Sequence, residues 1–101
     1  MRVAGNSNVK NVALCLVRFL ENPETPGVEL RAIGAGAVNQ AVKSIACARG
    51  LLGQQGYDLC VRIGFCNVNE HEGSEEKTAM RFIAFIKDVR GGYHGHSILD
   101  Q

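Results

Sequence analysis

The sequence predicts an α+β fold of two layers, in which two helices cover one face of a four-stranded sheet. Three observations predict it. Two segments repeat their apolar residues at helical spacing, two later segments alternate apolar and polar residues with a period of two, and a short extended segment precedes each helix. The predicted element order is therefore β-α-β-α-β-β.

The first strand and helix are predicted within the first 22 residues. Met1 to Ala4 is a strand candidate, and in the turn that follows Ser7 is expected to cap the next helix. That helix is expected to end before Pro23, and a loop then leads to the second strand. Its predicted core stripe consists of Val9, Val12, Ala13, Leu16, Phe19 and Leu20.

The segment from Val28 to Gly53 organises the chain. Its extended start is broken at Gly34-Ala35-Gly36, and a long amphipathic helix is predicted from Val38. Free amides at Gly34 and Gly36, together with the helix dipole, favour an anion there. The alternative is a tight strand-to-helix turn without a ligand, and no third glycine completes a dinucleotide fingerprint. The apolar stripe of this helix consists of Val38, Ala41, Val42, Ile45, Ala48 and Leu52.

The second half is predicted to be a hairpin with a long acidic tip. Its first strand alternates from Tyr57 to Phe65, and its second runs from Lys77 to Val89. The polar, glycine-broken segment 67–76 connects them. Residues 1–90 are expected to form one domain, and residues 91–101 a tail without clear periodicity.

The sheet face that the helices leave uncovered is predicted to be both basic and apolar. If Leu30, Val61 and Phe82 point at the helices, the residues of opposite parity share the other face. Self-association explains that composition, and a sheet that contacts nucleic acid is the alternative. The candidate interface residues are Arg31, Ile33, Arg62, Arg81, Ile83 and Phe85, with Cys60 and Lys87 on the same face.

Composition limits the classes of function. The chain has 101 residues and a formal net charge of +1, so affinity for nucleic acid must come from local clustering of cations. The start of the chain does not resemble a secretory leader, and no apolar run is long enough to span a bilayer, so a soluble cytoplasmic protein without a membrane partner is expected. The four cysteines lack zinc spacing and are expected to be reduced core thiols.

Neither catalysis nor a metal or cofactor is expected. His71, His94 and His96 fall in the predicted loop and tail, where nothing holds a general base in a defined geometry. His94 and His96 supply at most two metal ligands, with no third beside them.

The segment from Arg31 to Lys43, RAIGAGAVNQAVK, with Ala48-Arg49-Gly50 and Glu75 to Met80, EEKTAM, closely resembles the stage V sporulation protein S family. The resemblance covers about Val3 to Lys87. That family is related to the Alba-like fold, so the resemblance implies a mixed sheet and a protein that binds DNA or RNA as a dimer or larger homo-oligomer. The chain departs from the pattern of Alba proteins at the acidic hairpin, where glutamates would repel phosphate.

The leading hypothesis is a non-enzymatic regulatory protein that binds nucleic acid as an oligomer. Through the resemblance and the helix-start argument, the expected contacts are Arg2, Lys10, Asn39, Lys43 and Arg49. The second hypothesis is a protein-interaction scaffold that uses Ile33, Ile83, Phe85 and the acidic hairpin. A small-molecule binder at the glycine turn is the third.

Overall fold

A computed structural model describes residues 1–69, 73 and 75–88. Histidines 71, 94 and 96 and the predicted tail lie outside the described residues, as does much of the acidic hairpin end. The described elements follow the predicted order: β1 (Arg2–Val3), α1 (Val9–Glu21), β2 (Val28–Ala32), α2 (Ala35–Gly53), β3 (Tyr57–Val68) and β4 (Lys77–Asp88).

The strands form a four-stranded mixed sheet in the order β1-β2-β4-β3. β1 and β2 are parallel, whereas β4 is antiparallel to both β2 and β3. The α+β, Alba-like prediction is confirmed. The order leaves two very unequal edges, since β1 has 2 residues and β3 has 12.

Helix α1 buries a narrower stripe than the sequence predicted. Ala13, Leu16, Val17 and Leu20 are buried, because positions three and four apart fall on one helix face. Phe19 was wrongly placed in the core: it lies on the flank of that face and is 54% exposed. The cap was also assigned wrongly. Asn8, not Ser7, caps α1, and its Oδ1 accepts from the Asn11 amide at 2.9 Å.

Helix α2 packs through small residues. It begins at Ala35, three positions before the predicted start, and it buries Ala37, Ala41, Ser44, Ile45, Ala48 and Leu52. The buried Ser44 hydroxyl donates to the Gln40 carbonyl oxygen at 2.7 Å, which satisfies it within the helix. Val42 was wrongly predicted to be buried and is 49% exposed.

Strand β3 extends past the helix that covers it. Arg49 of α2 bonds Asp58 at the start of β3, so the two elements are aligned there. The part of α2 between Ala35 and Arg49 is about 21 Å long, at roughly 1.5 Å per residue. That length covers only about six strand residues at roughly 3.3 Å each. Ile63 and Phe65 lie at and beyond that limit and are 60% and 75% exposed, so the strand is half-buried only in its first part.

The cysteines are free but are not core residues. Cys15 is exposed, and Cys47, Cys60 and Cys66 are half-buried, because each lies beside rather than within its element's buried stripe. Among the described residues, no three His, Cys, Asp or Glu side chains form a cluster that could hold a metal ion. No helix within the described part of the chain is long and apolar enough to cross a membrane.

Candidate nucleic-acid interface

A row of arginines crosses the face of the sheet opposite the helices. Arg2 is in register with Arg31, and Arg31 is in register with Arg81. The neighbouring Val3 and Ala32 are 2% and 1% exposed in the core, so the alternation of side chains puts the arginines on the other face. We call this surface, with Glu29, Arg62, Ile83, Phe85 and Lys87, the open face.

Like charges directly opposite one another destabilise a sheet, and Glu29 offsets that repulsion here. Glu29 Oε2 accepts from Arg31 Nε, and Glu29 Oε1 accepts from Arg81 Nε at 3.1 Å. The hydrogen bond from Arg31 lowers the pKa of Glu29 below its ordinary value, and the charges of both arginines add to the shift while burial opposes it. One carboxylate thus bridges two guanidinium groups, as an anionic ligand would.

Two clefts open on the open face. One has a volume of about 480 Å³ and places Arg2 and Arg31 beside the apolar side chains of Ile33 and Val68. The terminal ammonium group of Met1, at its rim, donates to the Glu29 carbonyl oxygen at 2.8 Å. The other cleft, of about 240 Å³, is lined by Pro26, Arg62, Ile83 and Phe85. In it the Arg62 guanidinium carbon lies 5.5 Å from the centre of the Phe85 ring, within cation–π distance.

Charge is strongly segregated in a chain whose formal net charge is only +1. On the open face the arginines Arg2, Arg31, Arg62 and Arg81 lie around the carboxylate of Glu29, and Lys87 lies further along β4, in register with Asp58 of β3. Other described glutamates lie outside the strands: Glu21 ends α1, Glu24 follows it in a loop, and Glu75 and Glu76 precede β4. Such a concentration of positive charge attracts polyanions.

The start of α2 is the second place with anion-binding character. Gly34 has φ 91°, a left-handed conformation that favours glycine, and no side chain caps the helix. Gly34, Ala35 and Gly36 are exposed, although the backbone of Gly5 approaches closely, 3.7 Å from where a Cβ on Gly36 would lie. The first turn therefore remains open on one side.

The structure distributes the predicted nucleic-acid contacts over separate surfaces. Arg2 lies on the open face, whereas Lys10, Asn39 and Lys43 are exposed on the two helices. Arg49 is 61% exposed and bonds Asp58 through its Nε at 2.8 Å, which gives it a partner within the chain. Five of the six predicted interface residues, by contrast, line the two clefts, and the sixth, Arg81, is in register with Arg31; the five are Arg31, Ile33, Arg62, Ile83 and Phe85.

A protein-family model described as Stage V sporulation protein S (SpoVS) matches residues 1–87. The chain belongs to the SpoVS family. The resemblance inferred from the sequence is thereby confirmed, and the match covers every strand except the last residue of β4. Membership makes the chain a sporulation-related regulatory protein with an Alba-like fold.

In this SpoVS protein, sequence reasoning identified most residues of the open face but not their arrangement. The parity of β2 and β4 placed Arg31 and Arg81 on one face, yet it could not show that they are direct neighbours. The role of Glu29 was missed. A signal was present, because Glu29 and Arg31 are two residues apart in a strand and must share a face.

Proposed function

We propose that this SpoVS protein acts as an oligomer that binds the phosphate backbone of DNA or RNA through its open face. The observation that carries the proposal is the row of Arg2, Arg31 and Arg81 on the sheet face opposite the two described helices. Guanidinium groups recognise phosphate with paired hydrogen bonds and keep their charge at all relevant pH values.

The shape of the open face supports a chain-like ligand. The arginine row spans two strand spacings, about 10 Å, and the clefts flank it. Arg62 stacked on Phe85 adds a planar surface next to Ile83, suited to contact with an unpaired base. Charge would thus hold the backbone, while the apolar side chains contact bases.

Matched double variants separate the open face from the helix layer. Arg31→Gln with Arg81→Gln removes two charges from the row, and Lys10→Gln with Lys43→Gln removes two from the helices. Fluorescence anisotropy with labelled single- and double-stranded oligonucleotides of about 20 nucleotides, between about 50 and 200 mM salt, gives affinity and salt dependence.

The arginine variant is expected to bind roughly 25- to 60-fold more weakly at about 0.1 M salt, because each lost phosphate contact forfeits about 0.7–0.9 released counterions. The slope of log K against log salt should become shallower by about 1.4–1.8. The lysine variant should stay close to wild type. Loss of binding in the lysine variant alone would move the site to the helix layer, and no wild-type binding at tens of micromolar would refute the function.

A protein-interaction scaffold is the second candidate. The apolar Ile33, Ile83 and Phe85 on the open face favour it, although each is only half-exposed. Pull-down with and without nuclease separates the two functions, because protein partners that survive nuclease treatment support the scaffold.

A further inference from the structure

The two helices lie side by side and run in the same direction. At one end, the Gln40 side chain of α2 donates to the carbonyl oxygen of Ser7, which precedes α1, at 2.8 Å. At the other end, Gln55, which follows α2, donates to the Glu21 carboxylate at 3.5 Å. These two pairs are 33 and 34 residues apart in sequence, so the offset between the helices is the same at both ends.

One row of α1 side chains borders α2 on the outer side of this helix pair. Lys10, Leu14 and Glu21 recur at helical spacing, so they share one side of α1, and Glu21 bonds across to Gln55. Arg18, four positions after Leu14, continues the row on its solvent side. Lys10 and Arg18 are exposed, and Leu14 between them is 42% exposed. The row therefore places an apolar side chain between two cations over about 12 Å.

The facing row of α2 is small and partly apolar. Cys47 and Leu51 share the side of Gln40, which bonds across to the turn before α1, and both are half-buried. Lys43 is exposed on the solvent side of this row, and the offset of 33 residues puts it level with Lys10 of α1. The surface between the two rows, which we call the helix groove, consists of Lys10, Leu14, Arg18, Lys43, Cys47 and Leu51.

The cations of the helix groove are left without a partner in the part of the chain that the structure describes. Lys10, Arg18 and Lys43 form no hydrogen bond or ion pair with a described residue. Glu21 is the only acidic residue of the two helices, and it lies at the far end of the groove. Lys10 and Lys43 are level with each other and repel, and a carboxylate placed between them would relieve that repulsion. The groove is thus complementary to an anionic partner.

The apolar side chains of the groove indicate the class of that partner. A phosphate backbone would match the cations but would offer no apolar contact to Leu14, Cys47 or Leu51. A third helix lying between two helices contacts both rows, and an amphipathic one buries its apolar side chains there. A second copy of α1 or α2 does not fit, because the two helices carry one carboxylate between them. An acidic amphipathic helix matches both the cations and the apolar side chains.

We propose that the helix groove binds an acidic amphipathic helix of a partner protein. Carboxylates about two turns apart on that helix contact Lys10 and Lys43 at one end and Arg18 at the other. An apolar residue between those carboxylates packs on Leu14. The groove lies on the opposite side of the molecule from the open face, so this inference is independent of the proposed nucleic-acid function. A protein bound there leaves the arginine row uncovered.

The test uses designed helical peptides of about 20 residues with leucine along one face. The leucine face is flanked by glutamate in the first peptide, by glutamine in the second and by lysine in the third. Fluorescence anisotropy of each labelled peptide is measured with the wild type and with two variants of equal net charge. Lys10→Gln with Lys43→Gln alters the groove, and Arg31→Gln with Arg81→Gln is the control on the open face. Circular dichroism checks that each variant is folded.

The wild type and the arginine control are expected to bind the glutamate peptide with micromolar dissociation constants and the glutamine peptide more weakly. The lysine variant should bind the glutamate peptide roughly 5- to 30-fold more weakly, because two ion pairs at a partly exposed surface are lost. Lys10→Glu with Lys43→Glu should reverse the preference, so that the lysine peptide binds better than the glutamate peptide. A variant that merely failed to fold would not show that reversal.

Equal affinity of the wild type for the glutamate and glutamine peptides would overturn the proposal. So would the absence of binding at hundreds of micromolar, or a loss confined to the arginine control. Oligonucleotide titrations use the same variants. If the lysine variant loses oligonucleotide binding and the wild type binds no peptide, the groove serves nucleic acid and the proposal is wrong. Peptide binding by a chain that binds no oligonucleotide would refute the proposed function alone.

Discussion

Glu29→Gln provides the sharpest test of the open face, because it removes the carboxylate that bonds two arginines of the row without altering an arginine. In the wild type this carboxylate bonds Arg31 and Arg81, so a phosphate must compete with it. The variant is therefore expected to bind nucleic acid more tightly. The Glu29 side chain is 28% exposed, and those of Arg31 and Arg81 are 51% and 44% exposed. Solvent therefore substantially screens the ion pairs between them.

The magnitude follows from two estimates. A phosphate about 6 Å from the carboxylate is repelled by about 0.7 kcal/mol at the dielectric of water and about 2.8 kcal/mol at an effective value of about 20. Counterion release for one additional phosphate contact raises the affinity for nucleic acid roughly 5- to 8-fold at about 0.1 M salt. We expect a gain of about 5- to 10-fold, with a steeper salt dependence.

Glu24→Gln is the matched control, since it makes the same change in net charge at an exposed residue of the loop after α1. Anisotropy titrations of both variants against one labelled oligonucleotide give the comparison. If Glu29→Gln binds no more tightly than Glu24→Gln, the row does not contact phosphate, and the reasoning is refuted.

Acid pH supplies an independent check on the same residue. The pKa of Glu29 is lowered from 4.5 in the folded chain, chiefly by the hydrogen bond from Arg31. Its ion pairs therefore contribute stability above the unfolded pKa, and that contribution is lost as pH falls through the lowered folded value. The free energy of unfolding in urea should fall more steeply below about pH 4.5 for the wild type than for Glu29→Gln. Identical profiles would show that the carboxylate is not paired in solution.

Two further predictions concern stability and are measured by urea unfolding. Gly34→Ala should lower the free energy of unfolding by about 1–2 kcal/mol because φ is 91°, whereas Gly50→Ala, in the helix with open space around it, should raise it by about 0.5–1 kcal/mol. Equal effects of the two would contradict the assigned turn. Asp58→Ala should cost about 1–3 kcal/mol, because the buried carboxylate accepts from Arg49 and from the next backbone amide, both at 2.8 Å. A neutral result would show that the pair is not formed.

Periodicity predicted the fold well because each element has one strong apolar face. The two helices, the hairpin and the parity of β2 and β4 all follow from spacing within a single segment, and the family resemblance added the mixed sheet. The errors occur where burial depends on a neighbour. Phe19, Val42, Ile63 and Phe65 fit apolar patterns, yet they are exposed, because the other elements of the described structure do not cover them.

The candidate site shows the same division. Sequence alone identified the arginines of the open face and the glycine turn before α2, because strand alternation and the conformational freedom of glycine are local properties. Register is not local. The alignment of Arg2 with Arg31 and Arg81, and the bridge that Glu29 forms between two strands, depend on how separate strands pair.

The sequence by itself thus determined the element types, the family and which residues face away from the helices, since these depend on spacing along one chain segment. Tertiary structure decided which cations are adjacent, and it decided that β3 extends beyond the end of α2. The physical reason is that a strand rises about 3.3 Å per residue and a helix only about 1.5 Å per residue. A helix therefore covers fewer strand residues than it contains itself, and this mismatch in length appears only when the two elements pack together.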